Sequence, residues 1–250
     1  MGAIPDSMLA RRRTISERFL AGQGVEIGAL HYPLWTSPRA SVRYVDRLDV
    51  AGLRFQYPEL NDVSLVEVDV VDDGETLASI GDGTLDFIIA NHMLEHTENP
   101  LGTLRNHLRK VRDGGILYYA VPDKRHSFDV DRPLTTFEHL VRDDREGPAG
   151  SRHAHLEEWS RLVDRITRPD EVEAKVRELE RINYSIHYHV WDQRSFVSFL
   201  DRAGHYLGHP FVVDHLEMNT TEVIAVLRKA PPWRSWLRGM KQRALQRLHR

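Results

Sequence analysis

Residues 24–34 read GVEIGALHYPL, and residues 42–46 read VRYVD. The first stretch is a β-rich run that closes on an acidic residue and small residues before the chain turns. The second is a short strand that ends on an aspartate. Domains of the α/β class that bind a nucleoside are built this way. Their first turn lets the backbone approach the ligand, and the second acid accepts hydrogen bonds from both hydroxyls of a ribose. The pair gains its weight from the segments around it, which follow in matching order.

Residues 8–21 have helical spacing and basic character and predict a leading helix. The first two strands then fall at 24–27 and 42–45, with a short helix at 51–57 and a third strand at 64–68, SLVEV, before Asp69. Residues 85–90, LDFIIA, form the continuous apolar run of a strand buried on both faces of a parallel sheet. Leucines at 101, 104 and 108 predict an amphipathic helix over 100–112, stopped by Asp113, Gly114 and Gly115. The fifth strand is 116–121, ILYYAV. Strand and helix alternate to this point, which implies parallel pairing with right-handed crossovers. FVVDHL at 211–216 and TEVIAVL at 221–227 then read as an antiparallel hairpin at a sheet edge.

The chain therefore divides into a core over 1–122, an insertion over 123–194, the end of the core over 195–229 and a tail over 230–250. The insertion is helical at 169–182, is too long for an ordinary connection and is the natural substrate lid. In the tail, Trp233, Trp236, Leu237, Met240, Ala244 and Leu248 lie on one helical stripe opposite Arg and Lys. That pattern suits a helix lying on an anionic membrane surface, or one packed on a partner.

With 41% hydrophobic and 28% charged residues, the 250-residue chain buries a full core. No stretch approaches the roughly 20 apolar residues of a membrane span, and residues 1–19 have no apolar run before a cleavage site, so a cytoplasmic location is expected. The absence of cysteine excludes disulfides, thiolate zinc sites and a cysteine nucleophile, leaving His, Asp or Glu for any metal. The net charge of −3 hides an asymmetry. Eight of the 34 Lys and Arg lie from Arg228 onward with no acid among them, so the remainder sets 26 basic residues against 37 acidic ones, a balance of −11. An acidic body argues against nucleic acid as a partner.

VEIGA (25–29), YVD (44–46), VEVDV (66–70), DFIIANHMLEHTENP (86–100) and DGGILYYAVP (113–122) together resemble the class I S-adenosylmethionine-dependent methyltransferases. The resemblance implies a Rossmann-like, mostly parallel seven-stranded sheet with a terminal antiparallel hairpin and a helical lid, and S-adenosyl-L-methionine as cofactor. It implies that Glu26 orders the first turn near the methionine end, that Gly28 and Ala29 permit close backbone contact, and that Asp46, with Arg47 beside it, takes the ribose. Asp69 and the backbone of Val70 would face the adenine. Asn91 would offer its carbonyl to the cofactor's ammonium, with His92 alongside. One departure is plain: the usual Gly-x-Gly-x-Gly loop is Gly28-Ala29-Leu30-His31-Tyr32-Pro33, which keeps only its first glycine. GALxxPL and PDKRHSFDVDRPLTTFEHL are similar to bacterial members associated with surface polysaccharide and glycan assembly, implying a carbohydrate or glycolipid acceptor. A small secondary metabolite is the same-fold alternative, and a non-catalytic scaffold the alternative of another class.

Methyl transfer to an alcohol needs a base for the proton, and histidine suits that task. The candidates cluster as Glu138 and His139 with His153 and His155, and as His187 and His189; of these His139, His155, His187 and His189 are the choices for the base, with Glu138 or Asp144 as a partner. For each histidine alone, a surface or capping role is the competing reading. His92 and His96 stand four apart, which would place them on one helical face as a metal pair would stand; the resemblance makes them cofactor-pocket and helix-start residues instead, and Glu95 and His96 read as packing or capping positions. Some sugar methyltransferases of similar fold hold a diol with a divalent ion such as Mg2+. Asp123, Asp129, Asp131 and Glu138 offer hard oxygens for it, although DVD beside Arg132 reads equally as a charged loop paired internally. Lys124 and Arg125 suit a phosphate-bearing acceptor or a solvated loop, and Trp159 and Trp191 suit a sugar face or the core.

Overall fold

The computed structural model describes residues 4–231. Seven strands form one sheet in the order β3-β2-β1-β4-β5-β7-β6. They are β1 (Gly22–Ile27), β2 (Ala40–Asp46), β3 (Val70–Val71), β4 (Leu85–Asn91), β5 (Val111–Pro122), β6 (Phe211–Asn219) and β7 (Glu222–Lys229). β1 to β5 run parallel, and β7 enters antiparallel between β5 and β6. The helices are α1 (Asp6–Phe19), α2 (Val50–Gln56), α3 (Pro100–Lys110), α4 (Phe137–Glu146), α5 (Ala149–Leu162), α6 (Pro169–Arg181) and α7 (Gln193–Tyr206). This is the seven-stranded Rossmann-like methyltransferase architecture that the sequence predicts.

The apolar runs are continuous because both faces of the sheet are covered. Ile88 and Ala90 face a core shared with Leu101, Leu104 and Leu108 of α3 and Phe196, Phe199 and Leu200 of α7. Phe87 and Ile89 face the opposite core, with Ile15 of α1 and Tyr118 of β5. Each fully buried side chain of this kind contributes about 1.5–3 kcal/mol. Gly24 lets β1 lie close to β4: a Cβ there would stand 2.3 Å from the Phe87 ring and 2.5 Å from its carbonyl oxygen. α4 and α7 are capped by Thr136 and Asp192, whose side chains accept from His139 N and Ser195 N.

Two local expectations are corrected. The third strand is not at 64–68 but at Val70–Val71, paired with Val45 and Asp46. Upstream of it the chain is held by single contacts: Val66 N donates to Leu30 O, and the Asp69 carboxylate accepts from Tyr44 N at 2.7 Å. Likewise α3 ends at Lys110, and Gly114, at φ +78°, lies inside β5, where the register slips between Leu85 and Phe87. The insertion carries α4, α5 and α6, with a small core of its own in Leu156, Val172, Val176, Leu179, Ile186 and Tyr188. The tail helix expected over 230–250 lies, from residue 232 onward, outside the described residues. Among the described residues no helix is long and apolar enough to cross a membrane.

Candidate functional site

The carboxyl ends of β1, β2 and β4 lie side by side and carry Ile27, Asp46 and Asn91. Glu26, buried within β1, accepts from Leu34 N with both oxygens at 3.0 Å and from Asn91 Nδ2 at 3.3 Å. One acidic side chain thus fixes the 28–34 loop and the mouth of β4, doing what further glycines do elsewhere. Burial pushes its carboxyl up to about 7, against the lowering effect of those donors. Gly28, at φ +66°, donates to Val45 O, and a Cβ on it would meet nothing within 4 Å, so the backbone there faces open space. Ala29 accepts from Tyr32 N, closing a turn.

Asp46 Oδ1 accepts from Arg47 N at 2.7 Å, and burial raises its pKa. The Arg47 guanidinium donates to Tyr57 Oη at 2.6 Å and Asn183 O at 3.2 Å, so it ties β2 to the insertion. Asp69 is exposed and spends its carboxylate on Tyr44 N, below the end of β3. Val70 opens β3, and the acid beyond the strand's end is Asp72, whose N–H donates to Asp46 O. Asn91 Oδ1 is buried and has no hydrogen-bond partner among the described residues.

His92 follows β4 at φ +51°, with Nε2 2.7 Å from Glu222 Oε2 and Nδ1 3.5 Å from Glu95 Oε1. Residues Leu94–His96 form a single 3-10 turn, so His92 and His96 do not share a helical face. Glu222 also receives Arg12 of α1 at 2.8 and 2.5 Å and Asn219 Nδ2 at 2.7 Å; against the raising effect of burial, its contacts with Arg12 and His92 lower its carboxyl to about 2.

Glu95 is fully buried, and neither of its oxygens has a hydrogen-bond partner among the described residues. Burial raises its pKa. Its Oε1 lies 4.0 Å from His187 Nε2. On the other side of that ring, Nδ1 is 2.7 Å from Asp129 Oδ2, and Asp129 is paired in turn with Arg132 at 2.8 Å. Arg132 also donates to His187 O and Glu158, so one guanidinium ties both carboxylates to the segment that carries the imidazole. The rings of Phe128 and Trp159 pack on His187 with centroids 4.7 and 6.0 Å away, and Phe128 remains 50% exposed.

Of the other candidates, His139, His155 and His189 converge on one another in a second cluster. Glu138 does not join them; it is a surface partner of Arg202 at 2.6 Å. Asp144 is taken by Arg105, Asn99 and Tyr206. Asp123 pairs with Arg125, Asp129 with His187 and Arg132, and Asp131 with Arg165, so the four carboxylates considered for Mg2+ hold separate partners rather than one centre. Lys124 donates to Arg132 O, and Trp191 is core. Sequence reasoning set Glu95 aside as packing and did not join Asp129 to His187. The signal available was an acid three residues beyond His92 at a strand mouth.

The chain matches the methyltransferase domain family over residues 45–207. No protein of curated function matches it in sequence. Among solved structures it is similar to a SAM-dependent methyltransferase from Aquifex aeolicus, at 12% identity and TM-score 0.44, covering 90% of this chain and 89% of that one. A candidate methyltransferase from Bacillus halodurans gives 12% and 0.48, covering 89% and 99%. A candidate S-adenosyl-L-methionine-dependent methyltransferase from Methanococcus maripaludis gives 14% and 0.47, covering 90% and 86%. With a methyltransferase family matched across more than half its length, and strands ordered as that fold requires, this chain belongs to the class I S-adenosylmethionine-dependent methyltransferases.

Proposed function

We propose that the chain methylates a hydroxyl oxygen of a carbohydrate, with His187 as general base and Asp129 as the residue that orients it. The 2.7 Å contact between Asp129 Oδ2 and His187 Nδ1 carries this reading. When bound, S-adenosylmethionine supplies an electrophilic methyl group on a positively charged sulfur. The residues present fit that group. Asn91 Oδ1 is a buried acceptor without a donor, the backbone at Gly28 faces open space, and the Asp46 carboxylate stands at the end of β2.

Donating Nδ1–H to Asp129 fixes the tautomer in which His187 Nε2 keeps its lone pair. Nε2 is then the atom that receives the proton of an acceptor hydroxyl, and the imidazolium so formed lies between Asp129 and Glu95. The contacts of Asp129 with His187 and Arg132 lower its pKa despite burial, so it stays ionised and supports that charge. Burying the Glu95 carboxyl without a hydrogen bond costs about 1–3 kcal/mol, a cost that a site in use justifies and a scaffold does not. The half-exposed Phe128 ring against Trp159 offers an apolar wall suited to a pyranose face, which supports a sugar acceptor. The surface-glycan setting rests on the sequence resemblance.

The test is methyl transfer to a panel of sugars and of non-sugar alcohols, with binding of S-adenosylhomocysteine measured alongside. His187→Ala should lower turnover roughly 100-fold or more while cofactor affinity is kept. A normal rate in that variant overturns the base assignment, and turnover confined to the non-sugar alcohols overturns the carbohydrate assignment.

A further inference from the structure

We propose that His139, His155, His189 and Asp143 form a binding site for a divalent transition-metal ion of the zinc class, tying α4 and α5 to the extended segment before α7. One ligand nitrogen from each histidine lies within 4.8 Å of the others. His139 Nε2 stands 2.9 Å from His155 Nε2 and 3.0 Å from Asp143 Oδ2. Nitrogen and oxygen ligands sit about 2.0–2.2 Å from zinc, which spaces tetrahedral neighbours about 3.3–3.5 Å apart. The two close pairs therefore need only part by a few tenths of an ångström around an ion.

The rings are arranged as ligands rather than as a stack. Interplanar angles of 82° for His139 with His155, 80° for His155 with His189 and 62° for His139 with His189 turn ring edges toward one another. A second observation is independent of this. Among the described residues, His189 Nδ1 is buried without a hydrogen-bond partner, in a residue only 1% exposed. A buried polar atom left without a partner calls for a ligand.

The donor set decides its class. Three imidazoles and one carboxylate suit a first-row transition ion, whereas Mg2+ and Ca2+ ask for oxygen cages. One contact opposes the ion: Arg142 Nη2 lies 2.6 Å from His139 Nδ1, which in the liganded ring carries the proton. The Arg142 side chain is 56% exposed and can turn into solvent. His139 and Asp143 share one helix face at i,i+4, so α4 alone presents two ligands.

The experiment uses the full chain without an added histidine tag, stripped with chelator, then titrated with Zn2+ by calorimetry and with Co2+ by visible absorption. One ion per chain and the intense visible bands of tetrahedral Co2+ are expected. His155→Gln should weaken Zn2+ affinity roughly 100-fold or more. His153→Gln, at an exposed position paired with Glu180, should leave it unchanged. Wild-type protein that binds no ion at unit stoichiometry, or a His155→Gln variant that binds as tightly as wild type, overturns the proposal. If that variant fails to fold, the wild-type Co2+ spectrum decides, and weak octahedral bands count against the site. Methyl-transfer activity is not the readout, so the catalytic reading stands or falls separately.

Discussion

Glu26 holds the loop that other sequences hold with glycines, and does so as a buried acid whose pKa is pushed up to about 7. Its folded value exceeds the ordinary 4.5, so the folded state binds the proton more tightly than the unfolded chain. The contribution to stability is complete below pH 4.5 and is lost as pH rises from there through about 7. Glu26→Gln keeps an acceptor for Leu34 N but cannot ionise. Urea unfolding at pH 5 and pH 8 should show wild-type stability falling across that interval, with a shallower fall in Glu26→Gln. Equal slopes in the two proteins would place the titration elsewhere.

Between elements, the decisive contact is Arg12 of α1 on Glu222 of β7, buried on both sides. Replacing Arg12 by Met keeps the bulk and strips Glu222 of its cationic partner, which costs about 3–5 kcal/mol for an uncompensated buried charge. Equilibrium denaturation of Arg12→Met should show that loss, and an unchanged midpoint would deny the pair its role. Elements of this kind were legible where burial wrote a pattern into the sequence. LDFIIA reads as a two-sided strand because both faces are covered, and the hairpin reads from two β-rich runs joined by a short connection. The third strand was misread because SLVEV is valine-rich yet meets only loop contacts, while two residues beyond it make the ladder. The glycines after α3 looked like a helix stop but serve a bulge within β5. At the site, Glu26 and Asn91 stood out as strand-end residues. Asp129 and His187 were each named, but for different tasks, and nothing paired them, since they are 58 positions apart and no periodicity joins them. Glu95 was set aside as packing because a 3-10 turn, not a helix, sets its direction.

For the molecule as a whole, charge is divided between an acidic body and a basic tail. On that division we expect the full chain to bind anionic lipid vesicles and a chain ending at Pro231 to lose that binding, by co-sedimentation at low and physiological salt. Equal sedimentation of the two chains would assign any membrane contact to the body. The Arg12–Glu222 pair also spans 210 positions, and Arg11 reaches Glu217 across 206. A ribosome releases α1 well before β7, so Arg12 emerges long ahead of its partner Glu222. A nascent chain that has emerged only through α7 already has every strand bearing the cofactor-facing ends, yet the Glu222 carboxylate that meets His92 Nε2 is still to come. The contacts of Glu222 with His92 and Arg12 therefore form only after all five parallel strands have been made.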